Sequence, residues 1–383
     1  MTESHLHPEA SWELKDHPIP TGKEEIWRFT PLAPLAPLFA GVPRSEKRLH
    51  WVGPLPDGVT HDCYSLAECV AAGGQAPFDR IAAVAVASDK AAYIDFPAGL
   101  VLDEPYVMDV EAPAGVYYQN LNLVIGARAK LTVVLRHRGQ ATYGELLNVI
   151  VGEGAEVNFV SVQDWDAGSV HAGQHSFTIG KDAQVKSVTA TLGGSLVRLM
   201  ETASFTAPGG QLEQFGIYFA DAGQFLEHRL FVDHNQPNTV SNVDYRGALQ
   251  GEGARSVWVG DVLIRKQAEN INTYESNKNL LLTDGCRADS VPNLEIETGE
   301  IQGAGHSSTT GRFDDEQLFY LRSRGIPETE ARRLVVHGFF ADIIRRIGVP
   351  EVEQRLLAEV ERELEQVDLS PTPASLEQGI EEK

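Results

Sequence analysis

A repeat constrains this chain more than any other feature. Three segments align: LNLVIGARAKL (residues 121–131), LNVIVGEGAEV (147–157) and HSFTIGKDAQV (175–185). Each places a glycine (Gly126, Gly152, Gly180) three residues before an alanine (Ala129, Ala155, Ala183). A looser fourth copy, TAPGGQL, puts Gly210 at the alanine position, so the small residue recurs after 26, 28 and 27 residues. Periods of this length belong to stacked repeats, in which no unit buries its apolar face alone. Within a unit, Leu121, Leu123 and Ile125 fall at every second position, and Val157 and Phe159 flank Asn158 in the same way. That is strand periodicity. Apolar strand, glycine-bearing turn and apolar strand, repeated and stacked, predict a β-helix over residues 101–311, with the small residue at a tight corner. Regularly spaced short strands also suit a β-sandwich; the matched Gly-x-x-Ala corners favour the solenoid.

The flanks read differently. Residues 1–22 are expected to be a loose leader, and 23–100 an N-terminal mixed α/β region. The latter opens with EEIWRFTPL (24–32) and a proline-rich run, PLAPLAPL (31–38), whose missing N–H donors argue against a continuing helix. Short helices are expected over 65–72 and 78–87, and a strand over 91–96. Residues 312–367 form a helical region. Asp314, Asp315 and Glu316 suit a helix first turn. Gly325 ends that helix, Pro327 begins the next, and Gly348 and Pro350 break the chain before a last helix over 351–367. There Val352, Leu356, Leu357, Val360, Leu364 and Val367 share one face. An acidic tail, 368–383, is expected to be disordered.

The 383 residues carry 54 acidic against 32 basic side chains, a net charge of −22. That excludes the basic footprint of non-specific nucleic-acid binding and opposes an anionic membrane surface. Three cysteines make no disulfide framework. The polar start, MTESHLHPEASWELKDH, lacks the basic and apolar regions of a signal peptide, and no run approaches the ~20 apolar residues of a membrane span. A cytoplasmic protein is expected. The chain holds no phosphate-binding G-x-x-x-x-G-K-[ST] loop, no G-x-G-x-x-G and no G-x-S-x-G elbow.

Several residues invite a chemical reading. His171 and His175 form H-x3-H, but four strand residues span roughly 13 Å. They are expected to be surface histidines that share no metal; His228 and His234 are farther apart still, and the same objection applies. Cys63 and Cys69 read as structural, within a helical patch. Asp221, Glu227, Asp233 and Asp244 would be the acids of a β-helix carbohydrate-active enzyme, the alternative reading of the fold. Cys286 and His306 lie twenty residues apart, near one coil length, so they are expected to stack on adjacent rungs. A thiolate and an imidazole suit iron and sulfur chemistry.

The segment PNLEIETGEIQGAGHSSTTGRFDDEQLFYLRSRGI (292–326) resembles the SufB/SufD family of iron–sulfur cluster assembly proteins. So do Ala331 with Gly338–Phe339, EHRLFVDHNQPNTVSNVDYRG (227–247), NKNLLL (277–282) and EEIWRFTPL. Gly305 and Ser307 flank His306 where the SufB branch carries glutamates, so the chain is more similar to the SufD branch. The resemblance implies a mainly β fold, a right-handed parallel β-helix between helical end regions. It implies a non-catalytic subunit that pairs edge to edge with SufB and docks the ATPase SufC on its C-terminal helices. A transient iron–sulfur cluster would form at the subunit interface, with no ATP site on this chain; the resemblance is silent on a flavin. His306 matches the histidine that the SufD branch contributes to that interface. Cys286 matches the SufB position of a cluster-building cysteine, a departure from the SufD pattern. The two residues are thereby candidate metal ligands.

Overall fold

The computed structural model describes residues 9–40, 49–88, 91–312 and 315–365. From residue 91 the chain winds as a spiral whose successive strands alternate between two sheets. One sheet contains, in spatial order, β1 (Leu49–Val52), β4 (Tyr106–Ala112), β6 (Lys130–Gly139), β8 (Glu156–Trp165), β10 (Gln184–Thr191), β12 (Gln211–Ala220), β14 (Val240–Leu249), β16 (Ile271–Leu281) and β18 (Ile301–Arg312). We call it sheet A. The facing sheet B runs β17 (Arg287–Ile296), β15 (Arg255–Ile264), β13 (Phe225–His234), β11 (Leu196–Phe205), β9 (Val170–Ile179), β7 (Thr142–Val151), β5 (Val116–Ile125), β3 (Ala91–Phe96) and β2 (Thr60–Tyr64). Every strand from β3 onward pairs in parallel with the strand two places along the chain. That pattern is a solenoid, not a sandwich of hairpins. Leu121 sits beside Leu147 and Gly260 beside Pro292, so a coil runs from 26 to 32 residues.

The corners explain the repeat. The backbone N–H groups of Gly126, Gly152 and Gly180 donate to Phe96, Ile125 and Val151 of the preceding coil, each at 2.8 Å. A Cβ at Gly152 would lie 2.7 Å from the Ala127 nitrogen, and one at Gly180 2.6 Å from the Val151 oxygen. Only glycine lets the backbones approach this closely. Ala129, Ala155 and Ala183 are buried beside them. Inside the spiral, apolar side chains stack in columns such as Leu123, Val149, Phe177, Ala203, Val232 and Val262.

Helices cover the outer faces. Against sheet A lie α5 (Glu328–Arg345) and α6 (Pro350–Glu365), with Phe340, Ile343, Ile344, Ile347, Val352, Leu356 and Val360 buried on Val134, Val160, Val188 and Phe215. Each such side chain contributes about 1.5–3 kcal/mol. The expected face of the last helix is thus the docking face as far as Val360; Leu364 and Val367 lie outside the described side chains. A shorter helix, α4 (Asp315–Ser323), precedes them. Over sheet B lies the N-terminal region, with α1 (Leu32–Phe39), α2 (Leu66–Ala71) and α3 (Arg80–Ser88).

Two expectations fail in this region. The proline-rich run does form a helix, α1. Pro34 falls in its first turn, where the N–H has no helical partner anyway. Pro37 gives up one bond, while Leu35, Leu38 and Phe39 are buried in compensation. Residues 9–22 are not loose where described. Ser11 donates to the Pro77 carbonyl at 3.0 Å, and the Arg80 guanidinium donates to the carbonyls of Leu14 and His17. A buried ion network fastens this region to sheet B. Arg198 pairs with Asp79 at 2.6 Å and lies over the Trp27 ring, while Glu227 takes hydrogen bonds from Thr30 and Arg229, both at 2.6 Å. The acidic tail and the leader's first eight residues lie outside the described residues.

Candidate functional site at the open end of the solenoid

The two ends of the spiral differ. At the N-terminal end, β2 and β1 lie antiparallel on β3 and β4 and close the stack. At the other end β17 and β18 are the last strands of sheets B and A, and none of the described residues pairs with their outer edges. Both strands are mostly half-buried or exposed. An unpaired strand edge is a template for another chain. Tyr274 and Ile296, both exposed, add apolar surface there.

His306 stands mid-way along β18, its side chain 43% exposed. Its neighbour one rung down is Glu275 of β16, whose Oε1 lies 3.8 Å from His306 Nδ1. Glu275 is buried, and burial pushes its carboxyl up to about 8, with the charge of Asp261 adding to the effect. Asp261 is likewise raised by burial, to about 6, although it accepts a 2.6 Å hydrogen bond from Asn293. The terminal coils thus hold a buried carboxyl group, Glu275, beside the accessible imidazole, and a half-buried one, Asp261, close enough to Glu275 to raise it further.

Cys286 does not join them. It lies in the turn between β16 and β17, half-buried, with its Sγ 3.4 Å from the Gly251 carbonyl and from Thr283 Oγ1. That turn adjoins the far end of β18, where Arg312 pairs with Asp284 at 2.9 Å. Arg312 is six residues beyond His306, about 20 Å along a strand. The expected stacking on adjacent rungs fails because a coil is longer than twenty residues. The two residues share the last coil, on different walls.

The histidines expected at the surface are buried instead. His171 and His175 project into the interior of β9, and both Nε2 atoms reach Glu145 Oε1, at 3.0 and 2.7 Å. Glu145 pairs in register with Gly173, midway between the two rings. A Cβ on Gly173 would meet Glu145 Cγ at 2.6 Å, so its absence makes room for the carboxylate and for rings four residues apart to converge. His137 adds a third contact, Nε2 to Glu145 Oε2 at 3.3 Å. His137, Glu145 and His171 place one donor atom each within 4.8 Å of one another, as a metal site would. The chemistry of His171 opposes that use. The Trp165 indole, which can only donate, points at His171 Nδ1 from 3.1 Å. The His171 proton therefore sits on Nε2 and faces Glu145. Burial lowers His171 to about 4, while Glu145 is held well below the carboxylate range despite its burial by the charges of His137 and His175 and by imidazole hydrogen bonds. The cluster is a carboxylate cradled by imidazoles.

His228 and His234 share nothing, as their spacing implied. His228 stacks on Tyr218 and meets Thr191 Oγ1 at 2.9 Å, and His234 bonds Thr239 and Ser241. Cys63 lies on strand β2 and is exposed, whereas Cys69 is buried in α2 and burial raises its thiol to about 11. The four acids of the carbohydrate-enzyme reading are not gathered. Glu227 and Asp233 pair with Arg229 and Arg265 on sheet B, Asp244 with Arg246 on sheet A, and Asp221 caps a turn.

Residues 108–339 match the family model described as SUF system FeS cluster assembly, SufBD core domain. An iron–sulfur cluster assembly SufBD family protein of Mycobacterium tuberculosis is 48% identical over 93% of this chain and 92% of its own length. The iron–sulfur cluster assembly proteins SufD of Escherichia coli and Bacillus subtilis are each 24% identical, over 65% and 58% of this chain and 59% and 51% of their own. With a parallel β-solenoid that carries the matched segment along its length, the chain belongs to the SufBD family of iron–sulfur cluster assembly proteins.

Proposed function

We propose that this chain is a SufD-type scaffold subunit, itself non-catalytic, of a cytoplasmic SUF complex. Its terminal coil pairs edge to edge with a SufB-type subunit, and iron and sulfide are assembled transiently between them. The observation that carries the reading is the open last coil with His306 exposed on it. An imidazole there is a borderline ligand for iron and also a proton carrier. Cys286, at the corner of the same coil, is the second and weaker candidate ligand.

A SufC-type ATPase docks on the C-terminal helices in this reading. Support comes from Phe319 and Tyr320 on α4 and Leu334 on α5, which are exposed while the opposite face of α5 is buried against sheet A. Nucleotide hydrolysis on that other chain would move the helices. The sequence is consistent with this division, since it holds no phosphate-binding loop.

The test is His306→Ala in cells that depend on this system. The variant should co-purify with the same partner chains as the wild type, yet support little cluster formation. Full assembly by the variant would remove His306 from the mechanism. Isolation without any second chain would remove the scaffold reading.

A further inference from the structure

We propose that Glu275 positions His306: its Oε1 takes the Nδ1–H of the imidazole across the last two rungs and turns Nε2 out of the open end. This rests on the reading of His306 as the group presented to the partner. Three observations carry it. First, β16 and β18 place Glu275 and His306 directly opposite each other in register, so they are held as a pair by the backbone ladder. Second, Oε1 is the one Glu275 oxygen that faces Nδ1, at 3.8 Å, and it is buried without a hydrogen-bond partner. A buried unpaired acceptor is costly, of order 1–3 kcal/mol, and the nearby imidazole is a ready donor. Third, the carboxyl side chain is only 2% exposed and the ring 43%. The acid is therefore the fixed partner, and a small rotation of the ring closes the bond.

Gly260 belongs to this arrangement. It faces the acid from β15, and a Cβ there would collide with Glu275 Oε2 and with the Trp258 ring. The missing side chain leaves the carboxyl its place. The consequence for His306 is chemical. An imidazole offers a lone pair at Nε2 only when its proton resides on Nδ1, and an acceptor oxygen held at Nδ1, as Glu275 Oε1 is, enforces this.

The experiment reads the tautomer directly. The full chain is labelled with 15N-histidine, and the His306 signal is identified by its loss in His306→Gln. At pH 9.5 the wild type should hold the His306 proton mainly on Nδ1. Glu275→Leu should turn that majority into a minority. Glu275→Gln, whose amide carbonyl still accepts, should keep it. Gly260→Ala, which displaces the carboxylate from the opposite wall, should lower it and decides the matter if the leucine variant does not fold. An unchanged His306 tautomer in folded Glu275→Leu, or in Gly260→Ala, overturns the proposal. The measurement needs neither partner nor cluster. It can therefore succeed even if His306→Ala assembles clusters normally, and it can fail while the scaffold reading stands.

Discussion

Two histidines that play no part in the open end should each contribute less to the stability of this solenoid as the pH falls. Burial lowers both His228 and His234 to about 3, against 6.5 for the ordinary imidazole. The surroundings of His234 show why a second proton is unwelcome. Thr239 Oγ1 donates to the Gln236 carbonyl and so can only accept from His234 Nδ1–H, at 2.7 Å. That leaves Nε2 as acceptor for the Ser241 hydroxyl at 2.9 Å, which in turn meets Thr273 at 2.6 Å. The folded-state value lies below the unfolded one, so the stabilisation is complete above 6.5 and is lost as the pH falls toward 3. Between pH 7 and pH 5 the unfolded chain goes from about a quarter protonated to almost fully protonated at each ring and the folded chain takes up almost nothing, a loss of about 2 kcal/mol for each histidine. Glu275 and Asp261 work in the opposite direction over the same range, because their raised folded values make the folded chain the better proton binder, so the net change is smaller than the sum of the two rings and a variant must isolate one of them.

Urea unfolding at the two pH values measures this. His228→Phe is the informative variant, because a phenyl ring keeps the stacking on Tyr218 but cannot titrate. It should be less stable at pH 7 by about 1 kcal/mol, the hydrogen bond to Thr191 being lost. Its further loss on going to pH 5 should be about 2 kcal/mol smaller than in the wild type. An unchanged pH dependence in His228→Phe would show that the ring is protonated, or exposed, in the folded chain.

Other perturbations have equally direct readouts. Arg198→Met leaves Asp79 without its buried cation and should cost about 3–5 kcal/mol in urea unfolding, with residues 9–40 becoming more open to protease. Phe340→Ala removes a fully buried ring between α5 and sheet A and should cost about 3–5 kcal/mol, seen first as faster hydrogen exchange in α5 and α6 with the coils still protected. Gly152→Val forces a side chain into the Ala127 backbone, and loss of soluble protein on expression is the expected outcome; a well-folded variant would mean the corner is looser than the structure shows.

The solenoid was legible because its tightest steric requirement recurs in the sequence. Gly126, Gly152 and Gly180 meet the coil below at the same point, so the same residue type returns each turn. The β3 strand and the C-terminal helices were legible for ordinary reasons of period and capping. What the sequence hid depends on a neighbouring coil. Nothing near His171 and His175 signals that Glu145, one coil earlier, lies between them, or that Gly173 is bare so that it can. Glu275 was missed for the same reason: only the register of β16 on β18 sets it beside His306. Cys286 and His306 are twenty residues apart and even the shortest coil takes 26, so the two fall on one turn, at a corner and at a strand centre, and not on stacked rungs; the repeat alone did not show where the corner lies.

The direction of the end strands carries the argument from fold to partner. A parallel spiral grows by adding strands that run the same way, so a rung closes only when something breaks that rule. At the N-terminal end β1 and β2 do so, running antiparallel to the strands they cover. At the C-terminal end β17 and β18 keep the direction of every rung before them, and the chain then leaves for helices that pack on the side of the stack, not across its end. Such an end presents the same unpaired backbone groups to another solenoid as it would to a next coil of its own. A second copy of this chain is disfavoured electrostatically, because two bodies of charge −22 repel as they approach. A related but different chain with a strand edge of the same geometry and a smaller negative charge would meet both requirements, and on that ground a SufB-type chain, and not a second copy, is proposed for the open coil.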